Sequence, residues 1–476
     1  MSPSDPPATG AETVRADLVV LGGGMAGMSA AAFAARAGAT VVVLERGTDI
    51  GGSAVLSGGS VWTPATTATA LEHSPHGDPA LIAALVADYP EAIVWLAGTG
   101  ISVADRVSLE EIMGFPAVGH QIDVIGHMRA SRSAVERAGG IVATRTTPRS
   151  LIIDDGAVVG VLAEDDDGPI EVRAPWVLLA TGGFQNDPEL RARHLGPGGA
   201  DMLVRSNPNS DGTGLRMAGS AGAATSRHMS SFYGHAMPAP LSRALEPRDF
   251  LRLAQLYTTR GVLLDAAGDR IVDESISYHG NSRAIARAPG ARALLVTDEP
   301  VIEADRTGYG LRSMEQIDRP VEAAREGARS ISAPSLDELG RQVEAWSYRN
   351  VAKAVTEFNA ALAIDPGALR PARERHRRPL TVAPFHAMEV QPAVTFTMGG
   401  VRIDPDCRVL DADGAPISGL LAAGADAGGL YHETYLGGLS MAVVFGLRAA
   451  RTALGPVAPA ANTGDLPSAE RARQVR

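Results

Sequence analysis

The chain has 476 residues, 45% hydrophobic and 20% charged, with a net charge of −11, 4% aromatic residues and one cysteine. That length exceeds one ordinary core and predicts two domains, or one domain carrying a large insertion. The lone Cys407 excludes an intrachain disulfide, a C-x-x-C-H haem attachment and an iron–sulfur cluster held by the chain's own thiolates, and an acidic chain without a basic stretch argues against nucleic acid and anionic membrane surfaces.

The opening MSPSDPPATGAETVRA has no apolar export segment and no twin-arginine pair, so a flexible tail over 1–13 and cytoplasmic residence are expected. No apolar run reaches the ~18 residues of a membrane span, so no transmembrane helix is expected. Residues 17–21 read as a short apolar strand running into Gly22, Gly24 and Gly27, the three glycines of G-x-G-x-x-G, with an amphipathic helix behind them. Gly22 permits the tight turn, Gly24 admits a pyrophosphate against bare backbone, and Gly27 lets the helix approach the strand. The next strand ends in Glu45, where a carboxylate accepts hydrogen bonds from an adenosine ribose. Strand, turn, helix, strand and acid in that order predict a dinucleotide site and an α/β fold.

Helical periodicity follows over 79–98 and 123–139. Short strands over 141–146, 151–153, 158–163 and 170–172, separated by Asp-Gly turns, predict a β-meander. A buried-type strand over 176–180 runs into Thr181-Gly182-Gly183, where bare backbone can meet a ligand or merely turn. Near the far end a strand over 419–423 is broken by Gly424, and Gly437-Gly438 precede a helix over 439–454. The two distant ends therefore read as one domain, 14–237 with 393–455. The stretch 238–392 reads as an inserted α+β cap, and 456–476 as a second flexible tail.

The order GGGMAG, Glu45, GGSA, ATGGF, SDGTG, TMGGVRID, LAAG and YLGG…VVFG resembles the fumarate reductase and 3-ketosteroid dehydrogenase flavoprotein superfamily over nearly the whole chain. The resemblance implies a Rossmann-like FAD domain interrupted by a capping domain, non-covalent FAD, and substrate held between cap and flavin ring. It implies a pyrophosphate cradle at Gly22, Gly24, Met25, Ala26 and Gly27, a ribose site at Glu45 and Arg46, and phosphate contacts at Gly52, Ser53 and Ala54. Ser57, Gly58 and Gly59 would lie at the flavin edge, with Ala180, Thr181 and Gly182 beside the cofactor. Asp211 and Gly212 would sit on the ribityl side together with Gly424 and Asp426. Leu439 and Ser440 open a helix whose amides favour the charge of reduced flavin. No metal is implied.

Substrate-facing positions depart from the fumarate reducers. Tyr278 stands where they carry an arginine, Phe396 where they carry a histidine before T-M-G-G, and Tyr435 where they carry an arginine before L-G-G. Tyrosine cannot form the planar bidentate fork that clamps a carboxylate. The pattern is closer to ketosteroid 1-dehydrogenases and cyclic-ketone desaturases, which implies removal of two hydrogens beside a ring carbonyl. Tyr435 with the amide of Gly437 or Gly438 would polarise the ketone, Tyr278 with a pKa lowered by neighbouring dipoles would take the α-proton, and the β-hydrogen would leave as hydride to flavin N5. Trp62 is read as a wall beside the flavin, His120 at the substrate mouth, and His432 as a proton relay or a structural group. Two other classes stay open: an ene-reductase running the same step backwards, and a non-catalytic flavin-binding protein. The electron acceptor is unassigned.

Overall fold

In the computed structural model, which describes residues 12–196, 198–241, 243–306, 317–365, 367 and 369–455, the apolar run Leu18–Leu21 is a strand buried at every residue. It pairs in parallel with Val41–Leu44 on one side and Val177–Leu179 on the other. Ile141–Ala143 extends the sheet at one edge, and Pro416–Ala422 followed by antiparallel Arg408–Leu410 closes it at the other. Strands from the two distant ends thus share one sheet, because fully apolar parallel strands need cover on both faces.

The helix Met25–Arg36 supplies that cover. Its sequence, MAGMSAAAFAAR, is small and apolar on nearly every face, the pattern of a helix enclosed by protein. The C-terminal helix Gly438–Leu454 lies against it so closely that a Cβ on Gly446 would sit 2.5 Å from the Ala26 carbonyl oxygen. The meander Thr147–Asp154, Ala157–Asp165 and Gly168–Arg173 forms a separate sheet, and Glu12–Arg15 joins it in parallel. This strand begins two residues before the expected boundary at 14. Residues 1–11 and 456–476, expected to be tails, lie outside the described residues.

Helix Pro79–Gly98 corrects the expectation that no segment reaches the length of a span: by length and composition it is apolar enough to cross a membrane. It buries Leu81, Ile82, Leu85 and Leu96 in the core, while its Asp88 and Glu91 pair with Arg448 and Arg451 of the C-terminal helix.

One cluster of buried apolar side chains draws on 18–218 and 398–450, and a second on 236–390. The second surrounds a sheet ordered Leu203–Val204, Phe385–Thr397, Ala293–Asp298 and Val262–Leu264. We propose 238–392 as the cap, with one physical qualification. Strands Phe232–Pro238 and Phe385–Thr397 pair with each other and run through both of its ends. They carry Tyr233, His235, Thr395 and Phe396 from the cap sheet toward the dinucleotide domain. The pairing slips between Tyr233 and Gly234, leaving Thr395 as the extra residue of a bulge.

Candidate active site

A cavity of about 730 Å³ lies between the carboxyl ends of the parallel strands and the cap sheet. One end is built from glycine turns. At Gly22, φ is +105° and a Cβ would stand 2.3 Å from the Ala180 carbonyl oxygen, so only glycine lets the two loops touch. At Gly24 and Gly58 a Cβ would meet nothing within 4 Å; both face open space along the cavity. The helix behind Gly24 begins without a side-chain cap, leaving its first amides free for an anion. Glu45 accepts from the Gly23 amide at 2.8 Å and the Gly47 amide at 2.6 Å, bolting the turn to the next strand while it lines the cavity. The Oε1 of Gln185, also on the wall, is buried without a hydrogen-bond partner among the described residues. An open glycine cradle at a helix N-terminus, a carboxylate one strand away and an orphan acceptor on the same cavity wall fit FAD.

Of the expected residues, Gly22, Gly24, Met25, Ala26, Glu45, Arg46, Gly52, Ser53, Ala54, Ser57, Gly58, Ala180, Thr181, Gly182, Gly424, Tyr278, Tyr435, Gly438 and Leu439 line this one cavity. Seven others are not among the lining residues and are held by contacts within the protein. Gly27 lies under the turn, where a Cβ would fall 2.0 Å from the Gly22 carbonyl oxygen. Gly59 packs on Gln121 and Ile122, and Gly212 on Phe184 and Leu190. Asp211 holds Arg46 through two hydrogen bonds of 2.8 and 3.0 Å; burial alone would raise its pKa, but Arg46 and Thr213 bring it to about 2. Asp426 accepts from the amide and hydroxyl of Thr181 and from the Gly183 amide, fixing the ATGG turn from beneath, and burial raises its pKa. Gly437 abuts the Trp62 carbonyl, and Ser440 donates to that carbonyl at 2.6 Å.

The other end is aromatic. Tyr435 stacks on Tyr233, ring centroids 4.0 Å apart, with Trp62 edge-on at 5.3 Å. The Gly438 amide, at the start of the C-terminal helix, donates to the Tyr435 hydroxyl at 2.8 Å, leaving that O–H free to point into the cavity. Tyr278 opens helix Tyr278–Arg287, capped by Ser277. The turn before it is held by buried Glu274, which takes Arg270 at 2.6 Å and Arg373 at 2.9 Å. The Tyr278 hydroxyl stands 3.4 Å from that of Tyr233, which stands 3.5 Å from His235 Nε2.

The expectation of a depressed Tyr278 pKa is overturned. Burial pushes the Tyr278 and Tyr233 hydroxyls up, and the same burial holds His235 well below its ordinary value. Both phenols are protonated at neutral pH and the imidazole is neutral.

Sequence reading missed Tyr233, His235 and Arg205, all on the cavity wall. Tyr233 and His235 are two apart on a strand and so share a face, a signal present in FYGHAMP. Arg205 sits just before the SDGTG turn and carries no motif signal. Trp62 and His120 line the cavity as expected; His432 does not, lying instead 4.5 Å, centroid to centroid, from the His228 ring.

A parallel-sheet glycine cradle opening into a tyrosine-lined chamber is the architecture of an FAD-dependent oxidoreductase. Residues 17–440 match the FAD binding domain family, and the chain belongs to it. It is 28% identical to a fumarate reductase (cytochrome) of Shewanella frigidimarina, across 90% of this chain and 75% of that one. It is 27% identical to the 4-oxocyclohexanecarboxylate 2-dehydrogenase of Sinomonas cyclohexanicum, across 93% of each. In fold it is similar to the 3-ketosteroid-Δ4-(5α)-dehydrogenase of Rhodococcus jostii RHA1, with a TM-score of 0.73 and 22% identity over 96% of this chain and all of that one.

Proposed function

We propose that the protein dehydrogenates the Cα–Cβ bond beside a ring ketone. The observation that carries this reading is the Tyr435–Gly438 pair at a helix N-terminus, facing the same chamber as Tyr278, Tyr233 and His235. A hydroxyl that accepts an amide N–H is a better donor for its own proton, and a helix N-terminus favours negative charge. A ketone oxygen docked on Tyr435 would gain enolate character, and its α-proton would become acidic. When bound, FAD supplies the two-electron acceptor for the β-hydrogen, which leaves as hydride.

Because Tyr278 is protonated, it does not act as a standing phenolate. It takes the α-proton while passing its own to Tyr233, which passes one to neutral His235 Nε2. The relay requires the 3.4 and 3.5 Å gaps of the free protein to shorten when substrate binds. Phe396 and Tyr435 leave a fumarate-like dianion without the anchors of the reducers, and this supports a ketone over a dicarboxylate.

The test is anaerobic bleaching of the bound flavin by saturated cyclic ketones, with succinate as control, between pH 6 and 9. A ketone is expected to bleach it, at a rate flat across that range, since neither the raised phenols nor the lowered imidazole titrates there. Silence toward every ketone, with reduced flavin reoxidised by an enone or an unsaturated acid, would establish the reductase instead.

A further inference from the structure

Arg205 is 7% exposed and lines the cavity, yet among the described residues no carboxylate pairs with it. Its Nε donates to the Phe250 carbonyl at 2.8 Å, one Nη1 hydrogen goes to Thr395 Oγ1 at 3.0 Å, and the Phe250 ring lies 5.2 Å beneath the guanidinium. A guanidinium has five N–H donors. Two are used here, and the three left over, one on Nη1 and both on Nη2, are enough to receive a carboxylate bidentately. Thr395 reaches Arg205 because it is the extra residue of the bulge opposite Tyr233, a backbone irregularity that re-aims its side chain. The cation is therefore held on two sides and offers its fork to the chamber that Tyr233, Tyr278 and Tyr435 also line. A buried, unpaired cation is costly, and an anionic ligand that completes the pair removes that cost.

We propose that Arg205 is the substrate's carboxylate anchor, so that the substrate is an oxo-substituted ring carboxylic acid with its ketone at Tyr435 and its carboxylate at Arg205. This rests on the ketone-dehydrogenation reading and narrows it from cyclic ketones at large to a keto-acid monoanion. The position differs from those at which the fumarate reducers place their arginines, which are Tyr278 and Tyr435 here.

The experiment compares 4-oxocyclohexanecarboxylate with its methyl ester in the FAD-loaded wild type and in Arg205→Met and Arg205→Lys. In parallel, the flavin absorbance shift is titrated with cyclohexanecarboxylate, which has no ketone. The acid is expected to exceed the ester in kcat/KM by roughly 10²-fold, carried mainly by KM, and Arg205→Met to bring the acid-to-ester ratio to about one and to abolish the flavin shift. Arg205→Lys should restore part of the preference, because it keeps the charge and loses the fork. Equal use of acid and ester by the wild type overturns the proposal, even if Arg205→Met fails to hold FAD. So does an Arg205→Met enzyme that still binds cyclohexanecarboxylate like the wild type. If no ketone bleaches the flavin yet cyclohexanecarboxylate binds only when Arg205 is present, the anion anchor stands and the dehydrogenation reading falls.

Discussion

Replacing Tyr435 with phenylalanine removes one oxygen and leaves the ring. The ring contacts persist, with Tyr233 stacked at 4.0 Å, Trp62 edge-on at 5.3 Å and Phe396 at 5.9 Å, so the chamber keeps its shape. Two things are lost: an acceptor, for the Gly438 amide 2.8 Å away and for the Trp62 side chain, and the donor for the ketone oxygen. The first costs little in the folded protein. Gly438 lines the cavity, where water replaces the hydroxyl, so the loss is about 1 kcal/mol and a Tm change of no more than about 2–4 °C. The second falls on the transition state, where removing one oxyanion donor lowers kcat by about 10²–10³-fold, or about 2.7–4 kcal/mol. Stopped-flow bleaching of the flavin under anaerobic conditions separates the two, because FAD occupancy and Tm are read on the same sample. A bleaching rate within about 3-fold of wild type, with FAD bound, would falsify the assignment of Tyr435 as the ketone's donor.

Gly24→Ala and Gly27→Ala should separate cofactor contact from packing. A Cβ at Gly27 collides with the Gly22 carbonyl at 2.0 Å, so Gly27→Ala is expected to destabilise even the FAD-free protein by about 1–3 kcal/mol, whereas Gly24→Ala, with open space around it, should leave the FAD-free Tm unchanged and weaken FAD retention. Equal Tm losses in the two variants would contradict this division.

His127 is packed against Ser29 of the dinucleotide helix, its Nε2 3.0 Å from the serine hydroxyl, and burial lowers its pKa from 6.5 to about 4. The folded protein therefore binds fewer protons than the unfolded chain between those values. The stabilisation is fully present above about pH 6.5 and is lost as pH falls, amounting to about 2 kcal/mol by pH 5. Urea unfolding at pH 7.5 and 5.0 should show His127→Gln losing less stability between the two than wild type. Identical losses would mean that other groups carry the pH dependence.

The cofactor half of the molecule was legible because its physics is local. Gly22, Gly24 and Gly27 each answer a backbone constraint within a few residues, and Glu45 closes the next strand, so sequence spacing maps directly onto space. The alternation of strands and helices likewise specified the α/β class, since apolar strands that must be covered on both faces leave few arrangements. Asp211 and Asp426 show where motif reading stops. Each belongs to a cofactor motif, yet the structure turns both carboxylates toward the protein's own arginine or backbone amides, an outcome set by partners 165 and 245 residues away in sequence.

The reacting end was settled by tertiary structure. Tyr278 and Tyr435 could be named from the sequence, but the protonation of Tyr278 depends on burial, which only packing determines. Tyr233, His235 and Arg205 reach the chamber from strands and turns whose meeting depends on a long-range pairing and a bulge at Thr395. Sequence by itself determined the cradle, the cofactor and the class of fold. Which side chains face one another across the cap, and whether the buried cation there finds a partner, was decided by contacts between segments that no local pattern encodes.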